Sequence, residues 1–415
     1  MSFAVGLRCR ECGATYSTEA RYSCDMCFGP LEVAYDLDAA RGVVTRERIA
    51  AGPNSIWRYA DLLPDHGGAP VDLGAGWTPL RRADRLAKEI GLKELWLKDD
   101  TRNPTGSFKD RVVSCALSAA RQLGFTTAAC ASTGNLATSV AAHAAALGWP
   151  SVTVIPSDLE KSKVAMTAIF GGTVLAVEGN YDDVNRLCAE LVDSHPDWAF
   201  ANVNLRAYYA EGSKTLAFEI AEQLGWRSPA QVLAPIASGS QLTKIAKGFR
   251  EFHELGLIDG DAPRMFGAQA TGCSPVATAL ASGTDIIRPV KPNTIARSLA
   301  IGNPADGPYA LDEMRRSGGD CGSVSDEEVL ESISQLARTE GVFAETAGGV
   351  VIGSLKQLVA KGSINPDEPV VAIISGHGLK TLDAIVDTAV PTAYISPKLA
   401  DAEAALARHN LEAAL

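Results

Sequence analysis

The chain has 415 residues, which is more than one compact core usually holds and predicts two or three domains. Hydrophobic residues make up 46% of it and charged residues 21%, the balance of a soluble globular protein. The formal net charge of −11 argues against a nucleic acid or an anionic membrane as a partner, although a local cationic pocket for an anionic small molecule is compatible with it.

The first segment, MSFAVGLRCRECG, lacks the basic start and the long apolar run of a signal peptide. No uninterrupted apolar stretch reaches the roughly 18 residues that a membrane helix needs. These two observations predict a cytoplasmic protein, in which thiols stay reduced.

Residues 1–35 are predicted to form a small separate module with two Cys-x-x-Cys pairs. Cys9 and Cys12 are separated from Cys24 and Cys27 by eleven mostly polar residues. Two such pairs supply four thiolates to a tetrahedral Zn²⁺, and a metal cross-link would stabilise a module too small for its own apolar core. The spacing therefore predicts a structural zinc site, and a pair of reduced or redox-active dithiols is the alternative. The other five cysteines are predicted to be buried and inert.

Residues 36–75 contain three prolines and are predicted to be an arm that packs on the main body. From Trp77 onward, short β-branched segments alternate with Ala-rich helical patterns. The predicted strands are 94–98, 127–132, 151–156, 173–179, 231–237, 264–270 and 369–375. The predicted helices are 110–124, 135–148, 161–172, 182–195, 211–225, 241–256, 325–341 and 348–362. This alternation predicts an α/β fold with mostly parallel sheets covered by helices on both faces.

The loop NPTGSFKDR (103–111) is the first of four strand-to-helix loops that carry polar or small residues. Ligands of open parallel sheets bind in such loops, at the carboxyl ends of the strands. Here Lys109 stands at the start of a helix, where an ammonium is unfavourable. We therefore expect a lowered pKa, which suits an amine that must attack an aldehyde. A solvated surface lysine is the alternative for this loop taken alone.

The other three loops are suited to anions or to a flat ring. ASTGNLATS (131–139) places hydroxyls and backbone N–H groups at a helix N-terminus, as a carboxylate site requires. The small residues of PIASGSQLT (235–243) let backbone amides close around a phosphate, and the two glycines of SGHGLK (375–380) leave space for a ring. Each of these loops, taken singly, is also compatible with an ordinary turn.

The segments NPTGSFKDR, ASTGN, EGSKTLAFE, TIARSLAIGNP, ETAGG and SGHGLK together resemble the threonine synthase family of fold type II pyridoxal 5'-phosphate (PLP) enzymes. The resemblance covers about residues 77–380 and implies two mostly parallel twisted sheets flanked by helices, behind the zinc-ribbon-like module. It also implies a large PLP-binding domain formed by 76–110 and 206–395, a smaller mobile domain at 111–205, and a helical tail at 396–415.

The resemblance assigns roles to residues of the quoted loops. Lys109 would carry PLP as a Schiff base, Asn135 would face the 3-hydroxyl of the cofactor, and Ser375 would contact its pyridine nitrogen. Ser132 and Thr133 would bind the substrate carboxylate. The cofactor phosphate would be bound by Ala237, Ser238, Gly239, Ser240 and Gln241.

The chain departs from the family pattern in two places. The phosphate loop lacks the Gly-Asn-x-Gly-Asn sequence of many members, and Tyr209 stands where an arginine is usual. That arginine would help to bind the substrate phosphate, so Arg206 is predicted to serve from a shifted position. The further candidates for this phosphate are Thr105, Lys163 and Asn204.

The reaction implied by the resemblance converts O-phospho-L-homoserine and water to L-threonine and phosphate, by γ-elimination and β-addition, in a homodimer. A related β-replacement or elimination enzyme, such as a cysteate synthase or a threonine/serine dehydratase, would keep the cofactor loops and change the substrate. A non-catalytic zinc-ribbon protein with a degenerate PLP fold is a third possibility, against which the intact Lys109, Asn135 and Ser375 argue.

Overall fold

The fold is given by a computed structural model that describes residues 2–64, 67–132, 134–179, 181–387 and 389–408. The strands are β1 (Ala4–Cys9), β2 (Thr15–Tyr16), β3 (Leu31–Tyr35), β4 (Leu80–Arg82), β5 (Leu95–Asp99), β6 (Thr127–Ala131), β7 (Ser151–Pro156), β8 (Thr173–Val177), β9 (Trp198–Phe200), β10 (Gln231–Pro235), β11 (Arg264–Ala270), β12 (Cys321–Val324) and β13 (Val370–Ile374).

The helices are α1 (Leu37–Ala40), α2 (Arg46–Ala50), α3 (Asp84–Ile90), α4 (Lys109–Gln122), α5 (Asn135–Leu147), α6 (Lys161–Ala168), α7 (Tyr181–Ser194), α8 (Arg206–Glu211), α9 (Thr215–Gln223), α10 (Ser240–Glu254), α11 (Pro275–Ala281), α12 (Gly307–Ser317), α13 (Asp326–Glu340), α14 (Thr346–Ala360) and α15 (Leu399–Arg408). None of the helices in the described part of the chain combines the length and the apolar character that a membrane span requires.

The larger sheet has six strands in the order β12-β11-β10-β13-β5-β4. Its strands are parallel except for the edge pair β4 and β5. Strand β13 is buried at every position, as expected when helices cover both faces of a parallel sheet. Phe218 and Phe252 pack on one face, and the apolar side chains of α13 and α14 pack on the other.

The smaller sheet has four parallel strands in the order β8-β7-β6-β9. Its central strand β6 has the sequence TAACA and is buried throughout, with α5 packed on it. All four strands fall within the range 111–205 that the sequence predicts for a smaller mobile domain. The domain boundaries and the movement stay predictions.

The N-terminal module is an antiparallel sheet in the order β2-β1-β3. Leu7, Leu31 and Val33 share one apolar cluster with Leu205 and Tyr208 of the main body. The small size of the module suggested that a metal alone would stabilise it. The module instead also buries apolar residues against the body. This packing places the module beside α8.

The segment 36–75 lies against the large sheet as α1, α2 and the 3-10 helix Ile56–Leu62. The indole of Trp57 donates to Ser114 Oγ at 3.0 Å, and the hydroxyl of Tyr59 donates to Glu222 at 2.8 Å. Arg58 pairs with the same Glu222 carboxylate at 2.7 Å. These buried contacts are those expected of an arm that packs on the body.

The predicted strands and helices between residues 94 and 375 are present, with ends that differ by a few residues. The elements missed include the short elements β4, β9, β12 and α8, and also the eleven-residue helix α12. Strand β12 has the sequence CGSV, whose single β-branched residue gives little strand signal. The predicted tail 396–415 contains α15, and residues 409–415 lie outside the described part of the chain.

Candidate active site

A cavity of about 310 Å³ opens at the carboxyl ends of β6, β10 and β13, between the two sheets. The loops that follow these strands reach it together, as the parallel topology requires. Ten of the residues proposed from the sequence line it: Lys109, Ser132, Asn135, Arg206, Ala237, Ser238, Gly239, Ser240, Gln241 and Ser375. Thr133 lies outside the described residues.

Lys109 is the first residue of α4, and its amine lies deep in this cavity. Nζ donates a hydrogen bond to the hydroxyl of Tyr209 at 2.7 Å. Burial lowers the pKa of Lys109 to about 8, although the nearby Glu345 carboxylate acts in the opposite direction. A lowered pKa leaves a larger fraction of neutral, nucleophilic amine near neutral pH.

The lysine loop is held against the loop that follows β13. The N–H of Phe108 donates to the Ser375 carbonyl at 2.9 Å, and the N–H of His377 donates to the Gly106 carbonyl at 2.9 Å. These bonds join residues that are far apart in sequence. They keep Lys109 and Ser375 on facing sides of one site.

Arg111, two residues beyond the lysine, holds α4 to the end of β5. Its guanidinium pairs with Asp100 at 2.7 Å and also with Glu219, and all three side chains are fully buried. Lys98 pairs with Glu219 at 2.6 Å from the same strand. Because buried charges are stable only when they are paired, this cluster fixes the start of the helix that carries Lys109.

The turn Ser238–Ser240 leads into the fifteen-residue helix α10. Gly239 has φ +97°, and a Cβ there would lie 2.6 Å from the Asp306 carbonyl oxygen, so the turn requires glycine. The first N–H groups of a helix have no partner within it and favour an anion. Gln241 adds a buried side-chain amide nitrogen with no hydrogen-bond partner among the described residues. These features fit a bound phosphate group.

Asn135 opens α5 on the opposite side of the cavity. Its amide nitrogen donates to Glu345 Oε2 at 2.9 Å, whereas its Oδ1 is buried and has no partner among the described residues. An unpartnered buried acceptor is costly unless a ligand supplies a donor. The position therefore fits a hydroxyl on a bound ring.

Glu345 and Tyr209 are site residues that the sequence reasoning did not assign. Glu345 is the N-cap residue of α14, but its side chain makes no capping bond and lines the cavity instead. Tyr209 lines the cavity from α8, and burial raises its pKa. An acidic residue directly before a Gly-rich helix, in the segment ETAGG, was the available signal for Glu345.

Ser132 lines the cavity, but its hydroxyl accepts from the N–H groups of Gly134 and Ala137, each at 2.9 Å. It therefore shapes the start of α5, and its own N–H donates to the Val154 carbonyl at 3.0 Å. Binding of a substrate carboxylate at this end of α5 stays a prediction.

The four residues proposed for a substrate phosphate are separated in the structure, and only Arg206 lines the cavity. Thr105 is hydrogen-bonded to Asp110 at 2.7 Å, and Lys163 pairs with Glu160 at 3.1 Å. Asn204 donates to the carbonyl of Trp198 at 3.1 Å. For these three residues, phosphate binding stays a prediction without support from their position.

The thiols of Cys9, Cys12, Cys24 and Cys27 converge at one end of the N-terminal module, with all four sulfurs within 4.8 Å of one another. The pairs Cys9–Cys27 and Cys12–Cys24 are 3.5 and 3.6 Å apart. Tetrahedral ligands of Zn²⁺ at the usual Zn–S distance lie about 3.8 Å apart. The arrangement therefore fits four thiolates around one metal ion.

The model of the family described as "Pyridoxal-phosphate dependent enzyme" matches residues 71–376. The fold agrees: a fungal L-serine ammonia-lyase from Rhizomucor miehei superposes with a TM-score of 0.62 over 75% of this chain and 98% of that one, at 21% identity. A maize serine racemase gives 0.60 over 80% and 92%, at 20% identity. The chain belongs to the pyridoxal-phosphate-dependent enzymes of fold type II.

Relatives with higher sequence identity to this chain show which family within this class it belongs to. The threonine synthase of Methanosarcina acetivorans is 41% identical over 92% of this chain and 93% of its own length. That of Methanocaldococcus jannaschii is 39% identical over 91% and 94%. Within the PLP enzymes, the chain is a member of the threonine synthase family, as the motifs predicted.

Proposed function

We propose that this protein is a PLP-dependent threonine synthase that converts O-phospho-L-homoserine and water to L-threonine and phosphate. One observation carries the proposal: in a chain 41% identical to a threonine synthase over 92% of its length, Lys109 lies in one cavity with Asn135 and the turn 237–241.

Different residues around the cavity would bind different parts of PLP. Lys109 Nζ would bond to the aldehyde carbon, and the turn 237–241 would bind the phosphate group through backbone N–H groups and the Gln241 amide. Asn135 would orient the ring oxygen and Ser375 the ring nitrogen. When bound, PLP supplies an electron sink for the carbon that loses a proton.

The chain's own groups would move the protons. Lys109 would take the proton from the substrate Cα and later return protons to neighbouring carbons. Its flexible four-carbon stem suits a base that serves more than one atom. The hydroxyl of Tyr209, 2.7 Å from Nζ, would orient the lysine amine during these transfers.

The remaining wall carries a cationic side chain for an anionic substrate, beside the carboxylate of Asp306. Among the described residues that line the cavity, Arg206 is the cationic side chain besides Lys109, and its side chain is 25% exposed. It would bind the phosphate of the substrate and stabilise it as it leaves. The N-terminal end of α5, at Ser132 and the following residues, would bind the substrate carboxylate.

A substrate comparison tests the proposal. Purified protein loaded with PLP should release phosphate from O-phospho-L-homoserine and form L-threonine, and it should not release phosphate from O-phospho-L-serine. Release from the second substrate alone would favour a β-replacement enzyme of the cysteate synthase kind. Deamination of L-threonine or L-serine without phosphate release would favour a dehydratase.

We also propose that the four module cysteines hold a structural Zn²⁺, because four thiolates at tetrahedral spacing leave no open coordination position. Elemental analysis of purified protein should find about one zinc per chain. The proposed site would be wrong if protein purified without chelators contained no transition metal.

We also propose a homodimer, which the resemblance to related enzymes implies, and a cytoplasmic location, which rests on the sequence features given above. Light scattering behind a sizing column should report twice the chain mass of 43.5 kDa. A value near one chain mass would contradict the dimer.

A further inference from the structure

The N-terminal module is part of the wall of the active-site cavity. Tyr22, which lies between the two Cys pairs, lines the cavity together with Arg206. A neighbouring depression is lined by Glu11, Tyr22 and Tyr309, and it shares Arg206 with the main cavity. Arg206 therefore stands where the module meets the cavity.

Asp306 connects Arg206 to the module. One of its carboxylate oxygens accepts from Arg206 Nη2 at 2.8 Å, and the other lies 3.7 Å from Arg10 Nη1. The Asp306 side chain is 8% exposed, so these charges interact with little screening by water. Asp306 precedes α12 but makes no side-chain capping bond, so its carboxylate serves the two arginines.

Arg10 is fixed by the metal-site turn. It stands between Cys9 and Cys12, and its N–H donates to the Pro30 carbonyl at 3.0 Å. Its guanidinium lies 3.7 Å from the centre of the Tyr309 ring, and Tyr309 in turn is hydrogen-bonded to the exposed Glu11. A metal bound by the flanking cysteines would therefore set the position of this guanidinium.

Arg10 affects how much positive charge Arg206 can offer to a ligand in the cavity. Without Arg10, the Asp306 carboxylate would neutralise Arg206 alone. With Arg10 present, two guanidiniums share one buried carboxylate, and Arg206 keeps part of its positive charge for a ligand. Glu11 is exposed and turned to Tyr309, so water screens its charge.

A second set of contacts ties the same helix to the module. The hydroxyl of Tyr208, on α8, donates to the Glu19 carbonyl at 2.8 Å. At the other end of α8, Glu211 pairs with Lys244 at 2.7 Å, and Lys244 also lies 3.4 Å from Glu32 of β3. The helix that carries Arg206 and Tyr209 is thus tied to the module directly through Tyr208 and indirectly, through Lys244, at Glu211.

We propose that the metal-loaded cysteine module sets the charge of the substrate-phosphate site: Arg10, held by the module, shares the Asp306 carboxylate, so that Arg206 keeps positive charge available for a phosphate dianion. The proposal rests on the proposed function, which supplies a phosphorylated substrate. Arg10 touches neither substrate nor cofactor, and it acts through Asp306.

The first test uses Arg10→Gln in the PLP-loaded, metal-loaded protein. We expect KM for O-phospho-L-homoserine to rise about tenfold, the effect of losing about 1.4 kcal/mol of charge-assisted binding. The turnover number should change less than about twofold, with the metal content and the visible PLP spectrum unchanged. The matched control is Arg41→Gln, an arginine 56% exposed in the arm, which should leave KM unchanged.

The second test is rescue. Because an uncharged amide in place of the carboxylate would no longer neutralise Arg206, Asp306→Asn should restore most of the KM in the Arg10→Gln background. Removal of the metal by a chelator should reproduce the KM increase of Arg10→Gln while the PLP spectrum persists, and Zn²⁺ should reverse it. An unchanged KM in folded Arg10→Gln protein, or a failure of Asp306→Asn to restore it, would overturn the proposal.

Inorganic phosphate separates this proposal from the proposed function. In the PLP-loaded protein the cofactor phosphate would occupy the turn at 237–241, so added phosphate would report on the Arg206 side. Calorimetry should find phosphate binding weakened about tenfold by Arg10→Gln, even if O-phospho-L-homoserine proves not to be the substrate. Equal phosphate affinity of the wild-type and Arg10→Gln proteins would contradict the role proposed for Arg10, whichever reaction the protein catalyses.

Discussion

The two sides of the active-site cavity are built in different ways. The proposed cofactor side consists of strand-to-helix junctions at Lys109, Asn135, Ser238–Ser240 and Ser375, each contained in a few consecutive residues. The substrate side joins Arg206, Asp306 and Arg10, which are separated by a hundred residues or more. The contrast teaches that local motifs carry the general chemistry, whereas specificity depends on contacts between distant segments.

Replacement of the central lysine should give the largest effect. Lys109→Ala should lower the turnover number by at least about 10³-fold and abolish the yellow colour of the bound cofactor, because the amine that bonds PLP is gone. Lys88→Ala, at an exposed position on α3, is the matched control and should behave as wild type. Wild-type-like turnover in Lys109→Ala would show that the cofactor side has been misassigned.

Removal of the buried guanidinium should mainly affect stability. Arg111→Met leaves the carboxylates of Asp100 and Glu219 buried with less compensation, and the free energy of unfolding should fall by about 3–5 kcal/mol. Urea unfolding followed by fluorescence measures the change. Arg186→Met, at an arginine 70% exposed, should change it by less than about 0.5 kcal/mol. Similar values for the two variants would mean that the ion cluster does not anchor α4.

Loss of the cationic group on the substrate side should separate substrate binding from cofactor binding. Arg206→Gln should raise KM for the phosphorylated substrate by about tenfold or more and leave the affinity for PLP within about twofold. Steady-state kinetics and PLP titration of the same preparation give both numbers, and Arg227→Gln is the exposed control. A large loss of PLP affinity would contradict the separation of the cofactor-binding side from the substrate-binding side.

The pH dependence of cofactor uptake should give the smallest effect. Only the neutral amine attacks the aldehyde, so the rate at which PLP-free protein binds PLP should rise with pH and level off above the Lys109 pKa of about 8. Tyr209→Phe removes an acceptor that stabilises the ammonium, and it should move the midpoint to lower pH by less than about one unit. Stopped-flow absorbance across pH 6–10 measures this rate, and a midpoint near the ordinary lysine value of about 10.4 would contradict the role of burial.

Much of the fold was predictable because strand and helix periodicity is a local property of the chain. The buried strand VVAII and the glycine-ended helix before residue 124 were recognisable in this way. Strand β12, with its sequence CGSV, was not recognisable, since only its pairing with β11 makes it a strand. The Cys spacing predicted the convergence of four thiols, but not that the module packs on α8.

By itself, the sequence predicted the family, which the relatives confirm, and it supplied the proposals for the cofactor lysine and the phosphate-binding turn. Each of these depends on neighbouring residues that one loop brings together. Only the tertiary structure decided which cationic and hydroxyl side chains face the cavity. Lys163 and Thr105 have suitable chemistry but are engaged by Glu160 and Asp110, whereas Arg206 reaches the site. The physical reason is that a charge acts according to its partners and its burial, and both are set by segments that meet only in the folded protein.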